Sequence, residues 1–280
     1  MRTATCFVPD CPVRIALLSD MHGKPFAEAL ARASAAGPDL IAVPGDILDR
    51  HSLDYARSPL DTQENALPFL RACAALAPTF FSPGNHEWML GDEDLDRLRE
   101  TGVTVLDNEY RSVEICGHRL VIGGLSSASY TDHRLRGAKP PEGMRYSERT
   151  CGGGFRGLFG SAAPAPDTSW LEDFAAAPGW HLLLCHHPEY FPRIPAAVEL
   201  ILSGHAHGGQ WAYWSFRKKR MCGVLAPGQG FFPKWTKGVY ENRLIVSTGM
   251  SNTAFPIPRF FNPREIVIIE GAKVSIQSSS

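Results

Sequence analysis

The stretch Phe80-Phe81-Ser82-Pro83-Gly84-Asn85-His86-Glu87 decides the fold prediction for this chain. A short apolar run ends at Pro-Gly, and an amide, an imidazole and a carboxylate follow at once. Because Pro-Gly favours a turn, the polar side chains should lie just beyond the carboxyl end of a strand. The stretch therefore predicts a buried strand that delivers polar groups to the edge of a sheet.

Four further apolar runs end in the same way. They are residues 15–19 before Asp20-Met21-His22, 40–44 before Gly45-Asp46, 182–185 before His186-His187, and 200–203 before Gly204-His205-Ala206-His207. Ligands of open α/β sheets bind outside the carboxyl ends of the strands. A helix cap or a hydrogen-bonded core histidine would explain one such end, whereas five together predict a binding site.

Length and composition predict one soluble globular domain, because 280 residues with 44% hydrophobic content can bury a large core. The net charge of -1 gives no overall attraction for nucleic acid, so we expect no extended nucleic-acid binding. The seven cysteines form no C-x-x-C pair, which is typical of reduced thiols. Without a signal peptide or an apolar run of about 18 residues, the chain is expected to be cytoplasmic.

Predicted strands and helices alternate in the first third of the chain. This alternation favours parallel strands joined by right-handed crossovers. From residue 103 onward, short strands predict a second sheet packed on the first. Strands are predicted at 13–19, 40–44, 79–82, 103–106, 110–115, 119–122, 180–185, 199–203, 243–247 and 265–270, and helices at 25–36, 62–75, 92–101 and 169–176.

The predicted fold class is α/β: a two-sheet sandwich of mixed strands flanked by helices, with a metal site at the carboxyl ends of the strands. A single domain is predicted to span residues 1–280. Residues 126–168 are irregular and rich in Gly and Pro, which favours a lid or substrate loop, with disorder as the alternative. Residues 211–240 are rich in Gly and aromatic side chains and are predicted to form a cap-like segment.

The polar groups at the five strand ends are predicted to bind metal. Oxygen and nitrogen ligands without thiolates suit Mn, Fe, Zn or Ni better than Ca. Seven ligands exceed the need of one ion, and two ions about 3.5 to 4 Å apart are used to hydrolyse phosphate esters. Two aspartates leave such a pair net positive, so it would attract a phosphate anion. The seven are Asp20, His22, Asp46, Asn85, His186, His205 and His207.

The order of these blocks resembles the calcineurin-like metallophosphoesterase superfamily, over roughly residues 13 to 210. Gly208-Gly209-Gln210 and the segment 231–240 are similar to a bacterial phosphodiesterase-like subfamily. The resemblance implies that Asp20, His22 and His207 hold a first ion and that Asn85, His186 and His205 hold a second. It also implies that Asp46 bridges the ions, and that a metal-bridging hydroxide attacks phosphorus in line without a covalent intermediate.

Three neighbouring side chains have predicted roles outside the ligand set. His86 is the predicted catalytic residue, either as general acid to the leaving group or as a stabiliser of phosphoryl charge. His187 could replace His186 as ligand, but the family pattern favours His186 and gives His187 a supporting or substrate-contacting role. Glu87 is predicted either to orient His86 or a ligand, or to be an ordinary surface carboxylate. His51, His118, His133 and His181 are expected to be structural or exposed.

The function predicted from these residues is a two-metal phosphoester hydrolase, acting as a phosphodiesterase or pyrophosphatase on a nucleotide- or lipid-linked substrate. The alternatives are a phosphomonoesterase, a nuclease, which the neutral net charge disfavours, and a noncatalytic partner-binding scaffold. Aromatic residues at 211–216 beside the basic run 217–220 also suggest peripheral contact with anionic lipid. The competing interpretation of these residues is a cap over the site with a solvated basic turn.

Overall fold

The structure is a computed structural model that describes residues 1–49, 58–88, 90–128, 165–217, 219–252 and 258–271. Its strands are β1 (Arg2–Phe7), β2 (Ile15–Leu17), β3 (Leu40–Val43), β4 (Thr79–Phe81), β5 (Thr104–Val105), β6 (Glu109–Ile115), β7 (His118–Leu125), β8 (Trp180–Cys185), β9 (Leu200–Ser203), β10 (Ala212–Ser215), β11 (Arg220–Gly223), β12 (Leu225–Ala226), β13 (Gly230–Phe231), β14 (Gly238–Tyr240), β15 (Leu244–Val246) and β16 (Glu265–Glu270). Its α-helices are α1 (Ala27–Ala36), α2 (Pro59–Thr62), α3 (Ala66–Leu76), α4 (Asp92–Arg99) and α5 (Leu171–Ala176).

Twelve of these strands form two six-stranded sheets, which confirms the predicted two-sheet α/β fold. The first sheet has the order β1-β16-β2-β3-β4-β5 and the second β14-β15-β9-β8-β7-β6. Four consecutive strands are parallel in each sheet, β2 to β5 in the first and β15, β9, β8 and β7 in the second. Mixed strands at the edges complete both sheets.

The alternation of side chains along the strands divides the core into three layers. Ile15 and Leu17 of β2 belong to a central cluster between the sheets, which also contains Leu182 and Leu184 of β8. Ala16 points to the opposite face and joins the cluster beneath the helices of the first sheet. A third cluster covers the outer face of the second sheet. Successive side chains of a strand face opposite sides, so strands buried on both faces read as continuous apolar runs.

The five ligand-bearing strands divide between the sheets. β2, β3 and β4 lie in the first sheet, and β8 and β9 in the second. The strand predicted at 103–106 was assigned to the second sheet, which was wrong: β5 pairs with β4 at the edge of the first sheet. Helix α4 lies between β4 and β5 in the chain. No local sequence pattern therefore reveals that these two strands pair. The edge strand β1 was not predicted.

The two segments singled out in the sequence differ in how far the structure describes them. Residues 129–164, most of the predicted loop 126–168, lie outside the described residues. In 211–240, β10 pairs with β11 and β12 with β13 as small antiparallel ladders, while β14 joins the second sheet. Across the described part of the chain, every helix is too short or too polar to cross a bilayer.

Candidate metal centre

The turns that follow three of the five strands, β2, β3 and β9, share an unusual backbone conformation. Asp20, His22, Asp46, His205 and His207 all have positive φ, between 46° and 64°. Non-glycine residues rarely adopt this left-handed region, and such strained residues cluster at functional sites. The surrounding contacts therefore hold five of the seven predicted ligands in conformations that the backbone alone disfavours.

Two glycines allow the turns to approach one another. A Cβ atom on Gly84 would collide with the Asp46 carboxylate, and one on Gly204 would collide with the carboxylate of Asp20. Any larger residue at either position would force the two turns apart. The glycines that precede Asn85 and His205 in the sequence are thus explained by close packing of the site.

Glu87 ties the turn after β4 to the turn after β3. Its carboxylate accepts hydrogen bonds from the backbone N–H groups of Asp46 at 2.8 Å, Leu48 at 3.1 Å and Gly84 at 2.7 Å. The side chain is fully buried, so the interpretation of Glu87 as a surface carboxylate was wrong. Burial and the Asp46 charge raise the pKa of Glu87 to about 7, against the lowering effect of the backbone N–H groups of Asp46 and Leu48.

Asp20, His22 and His207 form the first half-site, in which one ligand atom from each residue lies within 4.8 Å of the others. His207 Nε2 lies 3.2 Å from His22 Nε2 and 3.5 Å from Asp20 Oδ1. Three buried groups thus converge on one point. His22 and His207 come from different sheets, so this half-site links the sandwich across its edge.

His186 and His205, which the resemblance assigns together with Asn85 to a second ion, form the second half-site, with Asp46 between the two half-sites. Asp46, His186 and His205 place one ligand atom each within 4.8 Å of one another. Asp46 Oδ2 lies 3.0 Å from His186 Nε2 and 3.9 Å from His22 Nε2 of the first half-site. The structure therefore brings Asp46 between both groups, where the resemblance implies a bridging ligand.

The charge of Asp46 is matched by the imidazoles around it. Burial raises the pKa of Asp46, but the charges of His186 and His86 outweigh burial and hold this pKa well below its usual range. Burial alone would lower the pKa of His186, and Asp46 raises it to about 10. In contrast, burial holds the pKa values of His205 and His207 well below the ordinary imidazole value.

His86 lies beside the bridging position. Its Nε2 is 3.7 Å from Asp46 Oδ2, and its ring lies edge-on to His22 at 4.4 Å. Its backbone N–H donates to Asp46 Oδ1 at 2.9 Å. The Asp46 carboxylate therefore contacts both the backbone N–H and the imidazole of His86. Whether His86 acts as a general acid stays a prediction.

The groups behind three of the four histidines predicted as ligands could not be predicted from the motifs. His22 Nδ1 faces the Leu48 carbonyl oxygen at 3.1 Å, and His186 Nδ1 faces that of Pro44 at 2.6 Å. His207 Nδ1 instead lies 2.9 Å from Nη2 of Arg259. Arg259 lies 52 residues later in the chain, and no local signal marked it as part of the site.

His187 is buried and forms no part of either half-site. Ser127 Oγ lies 2.8 Å from its Nε2, and Glu189 Oε1 lies 3.1 Å from its Nδ1. Burial lowers the pKa of His187 to about 3, so its ring is neutral. Of the other histidines, His118 is exposed and His181 contacts Glu199 and the Ala177 carbonyl oxygen. His51 and His133 lie outside the described residues.

The donor set fits divalent cations. Asp20 Oδ2 and Asn85 Oδ1 are buried and have no hydrogen-bond partner among the described residues. Buried polar atoms without partners are costly, and a bound ion is a standard explanation for them. Imidazole, carboxylate and amide groups suit Zn, Fe and Mn.

Comparison with known proteins places the chain in a family. The family model described as calcineurin-like phosphoesterase matches residues 13–209. The chain therefore belongs to the calcineurin-like phosphoesterase family, a family of metal-dependent phosphoester hydrolases. The match covers all seven predicted ligands and His86.

Similar proteins include two named as metallophosphoesterases. The putative metallophosphoesterase F40B5.2 of Caenorhabditis elegans is 28% identical over 271 residues, which is 92% of this chain and 48% of that protein. The uncharacterized metallophosphoesterase Cj0846 of Campylobacter jejuni is 27% identical over 270 residues, 92% of this chain and 58% of that protein. A 5'-nucleotidase precursor from Thermus thermophilus aligns with a TM-score of 0.45 at 15% identity, covering 93% of this chain and 48% of that one. The chain thus spans about half the length of these proteins.

Proposed function

We propose that this protein hydrolyses phosphodiesters or pyrophosphates of a nucleotide- or lipid-linked substrate with the help of two divalent cations. The observation that supports this proposal is the position of Asp46, whose Oδ2 lies 3.0 Å from His186 Nε2 and 3.9 Å from His22 Nε2. A carboxylate between two groups of nitrogen and oxygen donors suits a shared ligand. Asp20, His22 and His207 would hold one cation, Asn85, His186 and His205 the other, and Asp46 both.

When bound, the two cations would polarise a phosphoryl oxygen and lower the pKa of a water molecule toward neutrality. The side chains of the protein set the charge and geometry of the reaction. Asn85 contributes a neutral oxygen, which keeps the centre net positive and attractive to a phosphate anion. His86 is placed 3.7 Å from the Asp46 carboxylate, where it can donate a proton to the leaving oxygen or stabilise developing charge.

Hydrolysis of bis(p-nitrophenyl) phosphate and of p-nitrophenyl phosphate tests the proposal. The protein is stripped of metal and reconstituted with Mn, Fe, Zn or Ni, and Asp46→Asn is the control. We expect metal-dependent turnover of the diester that Asp46→Asn abolishes. Turnover of the monoester alone would identify a phosphomonoesterase. Absence of bound metal would instead favour the noncatalytic scaffold.

Peripheral contact with lipid is a further part of the proposal. Trp214, Phe216, Phe232 and Phe261 are exposed to 51%, 86%, 68% and 81%. Residues 211–240 contain six Lys or Arg and no acidic residue, although the whole chain is nearly neutral. Exposed aromatic groups beside cationic groups are typical of proteins that touch anionic headgroups. This face adjoins the site, because Trp211 follows Gln210 and bridges to Phe260, the neighbour of Arg259.

Co-sedimentation with vesicles tests this contact. Vesicles of phosphatidylcholine with phosphatidylserine should pull down the protein, and added salt should weaken the binding because exposed charges are screened. Phe216→Ser should reduce binding, whereas Val239→Ser, which changes a less exposed apolar residue, is the control. If the same amount of protein sediments with and without vesicles, the result would instead support a cap over the site.

A further inference from the structure

Glu189 lies behind the metal-site histidine His205, and the chemistry proposed above leaves it without a role. Its Oε1 is 3.7 Å from His205 Nε2 and 3.1 Å from His187 Nδ1. Its Oε2 is buried and accepts no hydrogen bond from the described residues. The Glu189 side chain is only 12% exposed. A nearly buried carboxylate with unused acceptor capacity therefore faces an imidazole of the second half-site.

A chain of hydrogen bonds fixes this carboxylate. Because a carboxylate can only accept, His187 Nδ1 must carry the proton that it donates to Glu189. His187 Nε2 is then an acceptor, and Ser127 Oγ donates to it across 2.8 Å. The His187 ring also stacks on Tyr190 with a centroid distance of 4.8 Å. The orientation of His187, and with it that of Glu189, is set from three sides.

Two other functions for these side chains conflict with the same geometry. Ser127, His187 and Glu189 have the order of a nucleophilic triad, but Ser127 and His187 are fully buried and a substrate could not reach the hydroxyl. His187, Glu189 and His205 also lie close enough to hold a cation. However, His187 Nδ1 carries a proton in this arrangement and has no lone pair to offer. A role in support of His205 remains.

We propose that Glu189 is a positioning residue, which accepts a hydrogen bond from His205 Nε2–H and leaves Nδ1 to bind the second cation. Metal-ligating histidines commonly donate their other ring N–H to a carboxylate or carbonyl, which fixes the ring and makes the ligand more basic. His186 follows this rule, because its Nδ1 faces the Pro44 carbonyl oxygen at 2.6 Å. A small rotation of either side chain brings Glu189 and His205 into hydrogen-bond range. This assignment rests on the proposed metal centre.

Nitrogen NMR of the histidine rings tests the assignment without any substitution. In wild-type protein loaded with Zn²⁺, His205 should show a protonated Nε2 and a metal-bound Nδ1. The opposite assignment, with Nε2 bound to the metal, would overturn the proposal. The measurement does not depend on catalysis.

Metal affinity of Glu189→Gln provides the second test. Gln keeps the shape of the side chain but removes its charge, so the affinity for one of two Zn²⁺ ions should fall about 10- to 100-fold. The other ion and the melting temperature of the metal-free protein should be unchanged. Glu172→Gln, which alters an exposed carboxylate of α5, is the matched control, and Glu189→Asp should restore part of the affinity.

The outcomes separate this proposal from the proposed function. If wild-type protein binds two Zn²⁺ ions and Glu189→Gln binds both with unchanged affinity, the role of Glu189 is wrong and the metal centre stands. If wild-type protein binds no Zn²⁺, the metal centre is wrong and the assignment of Glu189 fails with it.

Discussion

The two half-sites use similar side chains but differ in what lies behind them. Behind His205 of the second half-site is the carboxylate of Glu189, at 3.7 Å from Nε2. Behind His207 of the first is the guanidinium of Arg259, at 2.9 Å from Nδ1. A carboxylate only accepts hydrogen bonds and a guanidinium only donates them. The two histidines proposed as equivalent ligands thus lie against groups of opposite charge.

This difference has a consequence for the position of protons. Because Arg259 donates to His207 Nδ1, the single proton of a neutral ring lies on Nε2, the nitrogen that faces Asp20 and His22. A cation can bind at Nε2 only after that proton has moved and the contact with Arg259 has been given up. Arg259 should therefore weaken the first half-site, whereas Glu189 should strengthen the second.

Asp46→Asn should have the largest effect, because it removes the one group common to both half-sites. We expect diester hydrolysis to fall about 10²- to 10³-fold or more, and the affinity for both cations to fall. Asp20→Asn is the comparison, because it changes a ligand of the first half-site alone and should weaken one cation. The metal content of both variants after dialysis, measured by mass spectrometry, checks this expectation. Equal loss of metal in the two variants would contradict a bridging role for Asp46.

Arg259→Met should strengthen the binding of one cation about 10-fold, within the range known for groups that contact metal ligands. The variant removes both the donor to His207 and a partly buried positive charge. Competition with a chromophoric chelator measures the affinity, and Arg264→Met, at an exposed arginine, is the control. Arg259 also donates to the carbonyl oxygens of Thr248 and Ser251. If its role were purely structural, the variant would bind metal more weakly, which would contradict the comparison.

The pH dependence of metal binding should also differ between the half-sites. Asp46 raises the pKa of His186 to about 10, so this ring is protonated at pH 7 in the metal-free protein. It must lose its proton to bind a cation, so filling the second half-site should release about one proton. Affinity should rise with pH by about tenfold per unit up to that pKa and fall as the pH is lowered. Burial keeps the pKa of His207 low, so this ring should release none.

Calorimetry in buffers of different ionisation enthalpy counts the released protons. His186→Asn is the matched variant, because it keeps a neutral ligand and removes the titrating ring. The release should disappear in this variant. The same proton count in both proteins would mean that the protons come from another group.

The sequence was sufficient to predict the fold class and the turns that carry the site, because buried strands and their terminal ligands are local patterns. Residues that act across the chain were missed. Arg259 lies near His207 only because the chain after Arg259 returns to the first sheet as β16. Glu189 lies near His205 only because β8 and β9, the strands that precede these residues, are adjacent in the second sheet. Glu87 could not be placed from its neighbours, since its partners Asp46 and Leu48 lie about forty positions earlier. Positive φ values at five predicted ligands also left no mark in the sequence.

A crystal of the protein soaked in Mn²⁺ and measured at the manganese absorption edge tests the two-cation centre most directly. We predict two anomalous peaks about 3.5 to 4 Å apart, with Asp46 contacting both, His22 and His207 contacting one, and His186 and His205 the other. A single peak, or two peaks that share no contact with Asp46, would contradict the account.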